Sequence, residues 1–168
     1  TNTGLFTGSD IVGFATGGVE RIRIDSSGRI LIGTTTEGST SADDLTIATT
    51  GTTGITIRSG TGNAGNIEFS DGTSGTDEYR GIVQYHHNGD SMRFFTNAAE
   101  KLRIASDGKV GIGTTTINRK LVINEASSES VVQITNGTSG VGVDDGFQII
   151  HFTSGATQLL NRENAEIT

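Results

Sequence analysis

The stretch ERIRIDSSGRILIGTTT, residues 20–36, decides the fold that this sequence predicts. Apolar and polar residues alternate with period two on both sides of the turn residues SSG at 26–28. Such alternation is typical of a strand with one buried face, and a three-residue loop that ends in glycine suits a type I turn with a left-handed bulge. We therefore predict a β-hairpin with one buried face and one free face. The buried face comprises Ile22, Ile24, Ile30 and Ile32.

Eighty residues later nearly the same phrase returns as EKLRIASDGKVGIGTTT, residues 100–116. The apolar phase is kept around the turn residues SDG, whereas Arg29 becomes Lys109 and Leu31 becomes Gly111. A strand keeps its register only if its buried face is kept, so this pattern of change indicates a structural role for the phrase.

The repeat extends beyond the hairpin. Further matches join 14–20 to 94–100, 45–47 to 121–123, 55–61 to 132–138, and 159–166 to 94–100. Repeats of this length are typical of stacked units in which each unit contacts its neighbours. We divide the chain into the end of a preceding unit at 1–19, a first unit at 20–99 and an incomplete second unit at 100–168.

The composition predicts an all-β chain with a thin core. Only 32% of the residues are hydrophobic and 5% are aromatic, there is no tryptophan, and 25 residues are glycine. Short strand patterns, including GITIRS at 54–59, are separated by turn residues every six to twelve positions. Helical spacing is not sustained in any window. Because glycine buries almost no side chain, we expect several chains to share one core.

The charge and the absence of long apolar runs exclude several partners. A formal net charge of −7 and a pI near 4.8 disfavour nucleic acid, which needs a basic surface. A run of about 18 apolar residues, the minimum for a membrane-spanning helix, does not occur, so we expect no membrane insertion. The chain has no cysteine and therefore no disulfide or thiolate metal site.

GTGNAG at 60–65 satisfies the G-x-G-x-x-G pattern of dinucleotide-binding loops. That fingerprint requires a helix directly after the glycines, but the next residues, NIEFSDG, have a strand pattern. We therefore interpret the motif as a turn and expect no cofactor.

The three histidines are His86, His87 and His151. Adjacent residues on a strand point to opposite faces, so His86 and His87 cannot share a metal within one chain. In a threefold assembly one inward histidine from each chain could supply three nitrogen ligands on the axis. Packing or solvation is the more common role of a strand histidine, and we assign no metal ligand.

Three further patterns are weak candidates for chemistry. GVGVDDGF at 140–147 is similar to calcium-binding glycine and aspartate repeats but occurs once, whereas such sites need stacked copies. NGT at 136–138 is a glycosylation sequon, meaningful only in a eukaryotic secretory pathway. Isolated carboxylates in loop-like stretches are expected to be solvated. These carboxylates are Asp43, Asp44, Asp144 and Asp145. We assign no catalytic residue and expect no enzymatic activity.

Three aromatic residues, Tyr85, Phe94 and Phe95, lie in two adjacent predicted strands. Core packing is the expected role of aromatic side chains in that position. A platform that contacts a receptor is the alternative.

The repeated phrases, together with GIVQYHHNGDSMRFFTNAAEKLRI at 81–104, resemble the repeats of tail fibres and related virion structural proteins of tailed bacteriophages, especially aquatic ones. Phrases of this type recur along the fibre shaft, and a self-cleaving intramolecular chaperone domain often follows. The resemblance covers most of residues 10–168. The last residues, NRENAEIT, do not have a chaperone pattern, so neither self-cleavage nor a receptor-binding tip is carried over.

The resemblance implies an elongated homotrimeric fibre of β-hairpins, arranged as a β-prism or an interlocked β-helix. It implies a virion structural protein, extracellular and located in the tail, that supports attachment to the host. Its partners would be further copies of itself, other tail or baseplate proteins, and a host surface glycan or protein receptor. The alternatives are a segment of a polysaccharide-degrading tailspike and a bacterial surface adhesin or extracellular filament.

Overall fold

A computed structural model describes residues 3–162 of the chain. The predicted all-β class is confirmed: the strands form three mostly antiparallel sheets, and the helical structure in the described residues is one short 3-10 helix, Gly75–Tyr79. The chain divides after Thr56 into two compact units. The first unit contains one sheet and the second unit contains two.

The first sheet has five strands in the order β1-β2-β3-β4-β5. These strands are Gly4–Gly8 (β1), Ile11–Thr16 (β2), Val19–Ile24 (β3), Ile30–Ile32 (β4) and Leu45–Ile47 (β5). Neighbouring strands are antiparallel except for β4 and β5, which are parallel.

The second sheet has six strands in the order β11-β10-β9-β8-β7-β6, and the third has three in the order β12-β13-β14. The second sheet contains Ala64–Phe69 (β6), Gly81–His86 (β7), Ser91–Thr96 (β8), Ala99–Ile104 (β9), Val110–Ile112 (β10) and Leu121–Ile123 (β11). The third contains Ser130–Ile134 (β12), Phe147–His151 (β13) and Thr157–Asn161 (β14). The parallel pairing of β4 with β5 recurs between β10 and β11.

The strands repeat as the sequence repeats. The bounds of β8, β9 and β10 are those of β2, β3 and β4 shifted by 80 residues. The bounds of β11 are those of β5 shifted by 76 residues. Both sheets carry a register irregularity at the same place, at Phe14/Ala15 and at Phe94/Phe95. The proposed division at 19/20 and 99/100 falls within β3 and β9 and stays a prediction.

The predicted hairpin turns are present in both copies. The Gly28 N–H donates to the Asp25 carbonyl oxygen at 2.9 Å, and Gly28 has φ +82°. The Gly108 N–H donates to the Ala105 carbonyl oxygen at 2.8 Å, with φ +76°. A third turn of the same kind, which the sequence pattern did not predict, ends at Gly155 between β13 and β14.

The single chain does not bury the predicted hairpin faces, and their burial between chains stays a prediction. Ile22, Ile24 and Ile30 are 37–43% exposed, whereas Leu31 on the opposite face is 1% exposed. The cause is the parallel pairing of β4 with β5, because parallel strands require a connection that crosses one face of the sheet. That connection lies on the Leu31 side, where the Gly38 N–H donates to Thr46 Oγ1 at 3.0 Å.

The two repeats fill this covered face in different ways. In the first sheet the strand supplies the buried side chain, Leu31. In the second sheet the equivalent residue is Gly111, where an added Cβ would lie 2.9 Å from Cδ1 of Ile117. The crossing connection therefore supplies the apolar side chain in the second repeat. The residue 80 positions before Ile117 is Glu37, in a connection four residues longer, and its carboxylate lies 3.8 Å from an Arg29 nitrogen.

The predicted strand GITIRS at 54–59 does not form. Instead, the Asn63 N–H donates to the Gly60 carbonyl oxygen in a turn before β6, and Ile57 packs onto Gly65. The other sequence patterns correspond to strands, but β1, β2 and β14 were not predicted. The match of 159–166 to 94–100 lies partly outside the described residues, which end within it at 162.

Gly111→Leu should destabilise the second unit by about 1–3 kcal/mol, because an added Cβ would lie 2.7 Å from the Thr114 carbonyl oxygen and the new side chain would compete with Ile117 for space. The double variant Gly111→Leu/Ile117→Glu relieves the contact with Ile117 but not the contact with the Thr114 backbone, so it should recover only part of that loss. Urea unfolding followed by circular dichroism measures both changes. A double variant less stable than Gly111→Leu alone would contradict the competition between the side chains at positions 111 and 117.

Candidate functional site

The glycine motif at 60–65 forms the turn that was predicted. The Asn63 N–H donates to the Gly60 carbonyl oxygen at 2.9 Å, and β6 begins at Ala64. A strand that pairs antiparallel with β7 therefore stands where a dinucleotide site requires a helix. The backbone amides needed to hold a pyrophosphate at a helix N-terminus do not occur at this turn.

The histidines lie at strand ends and make local contacts. His86 Nδ1 is 2.7 Å from the Asn88 carbonyl oxygen, and His151 Nδ1 is 3.0 Å from Thr157 Oγ1. The ring of His87 meets that of Tyr85 edge-on, with centroids 5.0 Å apart. Within residues 3–162, no three histidine, aspartate or glutamate side chains are grouped as they would need to be to hold a metal ion. A metal on a threefold axis stays a prediction.

The loop carboxylates have structural partners. Asp43 accepts a hydrogen bond from Arg29 at 2.9 Å, and Asp144 lies 3.5 Å from an Arg162 nitrogen. Asp145 Oδ2 accepts from the Gly142 N–H at 2.6 Å, which closes the loop with the calcium-like sequence. The backbone carbonyl of Asp44 accepts from the Ile30 N–H, so its main chain joins the two strands of the parallel pair.

The glycosylation sequon is a turn in the third sheet. Asn136 Oδ1 accepts hydrogen bonds from the Thr138 and Ser139 N–H groups at 2.8 and 3.0 Å. These are the bonds of an asparagine that stabilises its own turn. The Asn136 side chain therefore has a structural role in the connection between β12 and β13.

The single chain leaves two of the three aromatic residues largely exposed, so their expected core role stays a prediction. Tyr85 is 41% exposed and Phe94 is 37% exposed, and both point to the same side of the second sheet. Phe95 points to the opposite side and is half-buried. Tyr85 and Phe94 belong to an exposed apolar surface, since each is paired across the strands with further apolar residues.

In the first sheet this surface is made of two rows of residues paired across the strands. We call it the first apolar face. One row contains Thr7, Val12, Ile24, Ile30 and Leu45, and the other contains Leu5, Phe14, Ile22, Ile32 and Ile47. Paired residues in a sheet point to the same side, so the rows form one continuous surface without a charged residue. Leu5 is 64% exposed at one edge and Leu45 51% at the other.

The second sheet carries a matching surface, which we call the second apolar face. One row contains Gly65, Tyr85, Met92, Ile104, Val110 and Leu121, and the other contains Ile67, Val83, Phe94, Leu102, Ile112 and Ile123. Phe69 extends this face beyond Ile67 on β6 and is 60% exposed. These rows are also free of charge.

The opposite sides of both sheets carry the charged side chains. An Arg23 Nη donates to Glu20 at 2.7 Å, and an Arg103 Nη donates to Glu100 at 2.6 Å, eighty residues on. The Arg23 guanidinium lowers the pKa of Glu20 below its ordinary value. In the turn, the bond from Arg29 likewise lowers the pKa of Asp25. Charge is thus paired locally on one side of each sheet, and the paired rows of the other side contain none. At the end of those rows, Lys101 lines the same hollow as Ile112 and Ile123, and Arg21 Nε donates to Thr16 Oγ1 at 2.7 Å.

Sequence reasoning found the centre of each apolar face and missed its edges. The period-two pattern identified the isoleucines of the hairpin phrase, but Leu5, Val12 and Ile67 lie in strands not assigned to that surface. The same alternation, followed into VGFAT and NIEF, is the signal that extends the face. In the described part of the chain, no helix is both long enough and apolar enough to cross a membrane.

Neither a scan against known protein families nor a search of curated proteins finds a match to this chain. The functional interpretation therefore depends on the two apolar faces, the repeat that relates them, and the resemblance of the repeated phrases.

Glu20→Gln should lower the stability of the first unit at about pH 7, by less than about 1 kcal/mol, because the pair is near the surface. A carboxylate whose folded pKa is lowered adds stability above its unfolded pKa, and that stability is lost as the pH falls through the folded pKa. The difference between parent and variant should therefore shrink below pH 4.5, the ordinary pKa of glutamate. Urea unfolding across this range measures it, and a difference independent of pH would contradict the pairing.

Proposed function

We propose that this chain is a structural segment of a homotrimeric tail fibre of a tailed bacteriophage. The segment projects from the virion, outside the host cell, and supports attachment to the host surface. Its sheets pack around a common axis as a β-prism or interlocked β-helix. Its direct partners are two further copies of itself and other tail or baseplate proteins.

The observation that carries this proposal is a repeated sheet with a repeated uncharged face. The strands of the hairpin phrase recur at a spacing of 80 residues, and both copies leave their isoleucine rows exposed. A monomer gains nothing from presenting the same apolar surface at regular intervals. A rod of stacked units does, because each interval adds the same contact between chains.

The single-chain core supports the same proposal. Among the described residues, Leu31 and Ile150 are the hydrophobic side chains that are buried, at 1% and 5% exposure. A domain of ordinary size that folds alone buries many more. Association of chains supplies the missing burial and also covers the open edges of the sheets.

The attachment role depends on the number of loops that a trimer presents rather than on a single strong binding site. A trimer presents every loop three times, and many fibres on one virion multiply that number again. Weak contacts of such loops with a host glycan or protein gain avidity because later contacts form at high effective concentration. The serine and threonine residues of the connections keep the outer surface polar.

In solution the purified protein should form particles with three times the chain mass of 17.5 kDa. Light scattering after size exclusion measures the mass, and circular dichroism of the same fraction should show β structure. A folded monomer of 17.5 kDa at micromolar concentration would contradict the proposal.

An antibody raised against the purified chain should label structures that project from the tail of the phage that carries it, seen by negative-stain electron microscopy. The same antibody should lower adsorption of the phage to its host. Antibody absorbed beforehand with the purified chain is the control. Labelling of the capsid, or of uninfected cells, would overturn the assignment to the tail.

A further inference from the structure

We propose that the first and second apolar faces are the surfaces on which copies of this chain pack against one another, and that the charged sides of these sheets face away from the contact. The inference rests on the proposed homotrimer and deepens it by assigning the side of each sheet that is buried. The partner is a second copy of this chain.

The area of the two faces is sufficient for a stable contact. On the second apolar face seven large side chains are 37–60% exposed. They are Ile67, Phe69, Tyr85, Phe94, Ile104, Ile112 and Leu121. With large apolar side chains at about 200 Å² each, these fractions leave on the order of 600 Å² uncovered. A similar area remains on the first apolar face, and a standard interface takes about 800 Å² from each partner.

The paired rows of both faces carry no charge, which indicates the kind of partner that would bind them. The rows on either sheet contain no lysine, arginine, aspartate or glutamate, although the chain carries 31 of these residues, 12 basic and 19 acidic. A nucleic acid or an acidic surface would need basic groups at the contact. An apolar face is covered best by another apolar face that excludes water.

The repeat selects a second copy as that partner. Ile24 and Ile30 of the first sheet have counterparts eighty residues on, Ile104 and Val110, in the same paired positions. A second copy of this chain presents the same uncharged rows on both sheets. Each face can therefore be covered by the equivalent face of another copy.

The opposite sides are less suited to this contact because the connections cross part of each and their charged side chains are paired locally. Leu31 and Ile117 lie under or within the crossing connections, and Arg23 and Arg103 are paired with glutamates in the same strand. Separating such a pair would leave charged groups without partners in an apolar contact, which is costly. Packing through the apolar faces leaves every one of these pairs intact.

Cysteine substitution tests the assignment directly, because the chain has no cysteine of its own. Ile67→Cys and Glu68→Cys are matched: the residues are neighbours on β6, both are exposed in the single chain, and they point to opposite sides. In the assembled protein we expect the thiol at position 67 to react with a water-soluble maleimide at least about tenfold more slowly than the thiol at position 68. In denaturant the two rates should be equal.

Light scattering on the same samples separates the two proposals. A trimer in which both thiols react at equal rates would overturn the packing through the apolar faces and leave the trimer standing. A folded monomer would overturn both. Protection of position 67 in a trimer supports both.

A second pair of variants checks the result by assembly rather than reactivity. Ile67→Asp and Asn66→Asp each place a carboxylate on β6, one on the apolar face and one on the opposite side. We expect Ile67→Asp to lower the trimer fraction at micromolar concentration at least about tenfold, since a carboxylate buried in the contact is unpaired. Asn66→Asp should leave it unchanged. Equal trimer fractions for the two variants would overturn the proposal.

Discussion

The parallel pairing of β4 with β5, repeated between β10 and β11, is the constraint on which the arrangement of both sheets depends. A parallel pair cannot be joined by a tight turn, so each connection must cross one face of its sheet. In crossing, it covers Leu31 in the first repeat and places Ile117 against Gly111 in the second. The face that is crossed becomes the interior of the single chain. The face that is not crossed keeps its isoleucines exposed.

The relative size of the interactions explains which face matters for assembly. Burial of apolar surface contributes about 25 cal/mol per Å², so a face on the order of 600 Å² represents more than about 10 kcal/mol before the costs of association. An ion pair near the surface, such as Glu20 with Arg23, contributes about 1 kcal/mol or less. The charged pairs therefore fix local side-chain positions, and the apolar faces dominate the energy available for association.

Local pattern was enough to predict the hairpins and their apolar faces, and not enough to predict which face the single chain itself covers. The glycines at 28 and 108 adopt positive φ as the SSG and SDG turns require, because turn geometry is set within a few residues. The covered face depends instead on where the next connection passes, which spans residues 33–44 in the first repeat and 113–120 in the second and is a non-local property. Tyr85 and Phe94 were assigned to a core for the same reason: alternation shows that a face is apolar but does not show what covers it.

The segment at 54–59 shows that a strand pattern in the sequence does not always form a strand. GITIRS has the alternation of a strand, and its match at 132–138 overlaps β12, which pairs with β13 in the third sheet. The two copies differ in the connection on their C-terminal side. A four-residue turn at Gly60–Asn63 brings Ile57 over Gly65 at the start of β6, whereas a longer connection, braced by Asp145 and by Gln133, separates β12 from β13. Strand propensity is thus realised only where the next connection lets the backbone meet a partner in register. The parallel pair recurs although its two connections differ in length, so a repeat of sequence becomes a repeat of structure where each connection returns the chain to a partner in register.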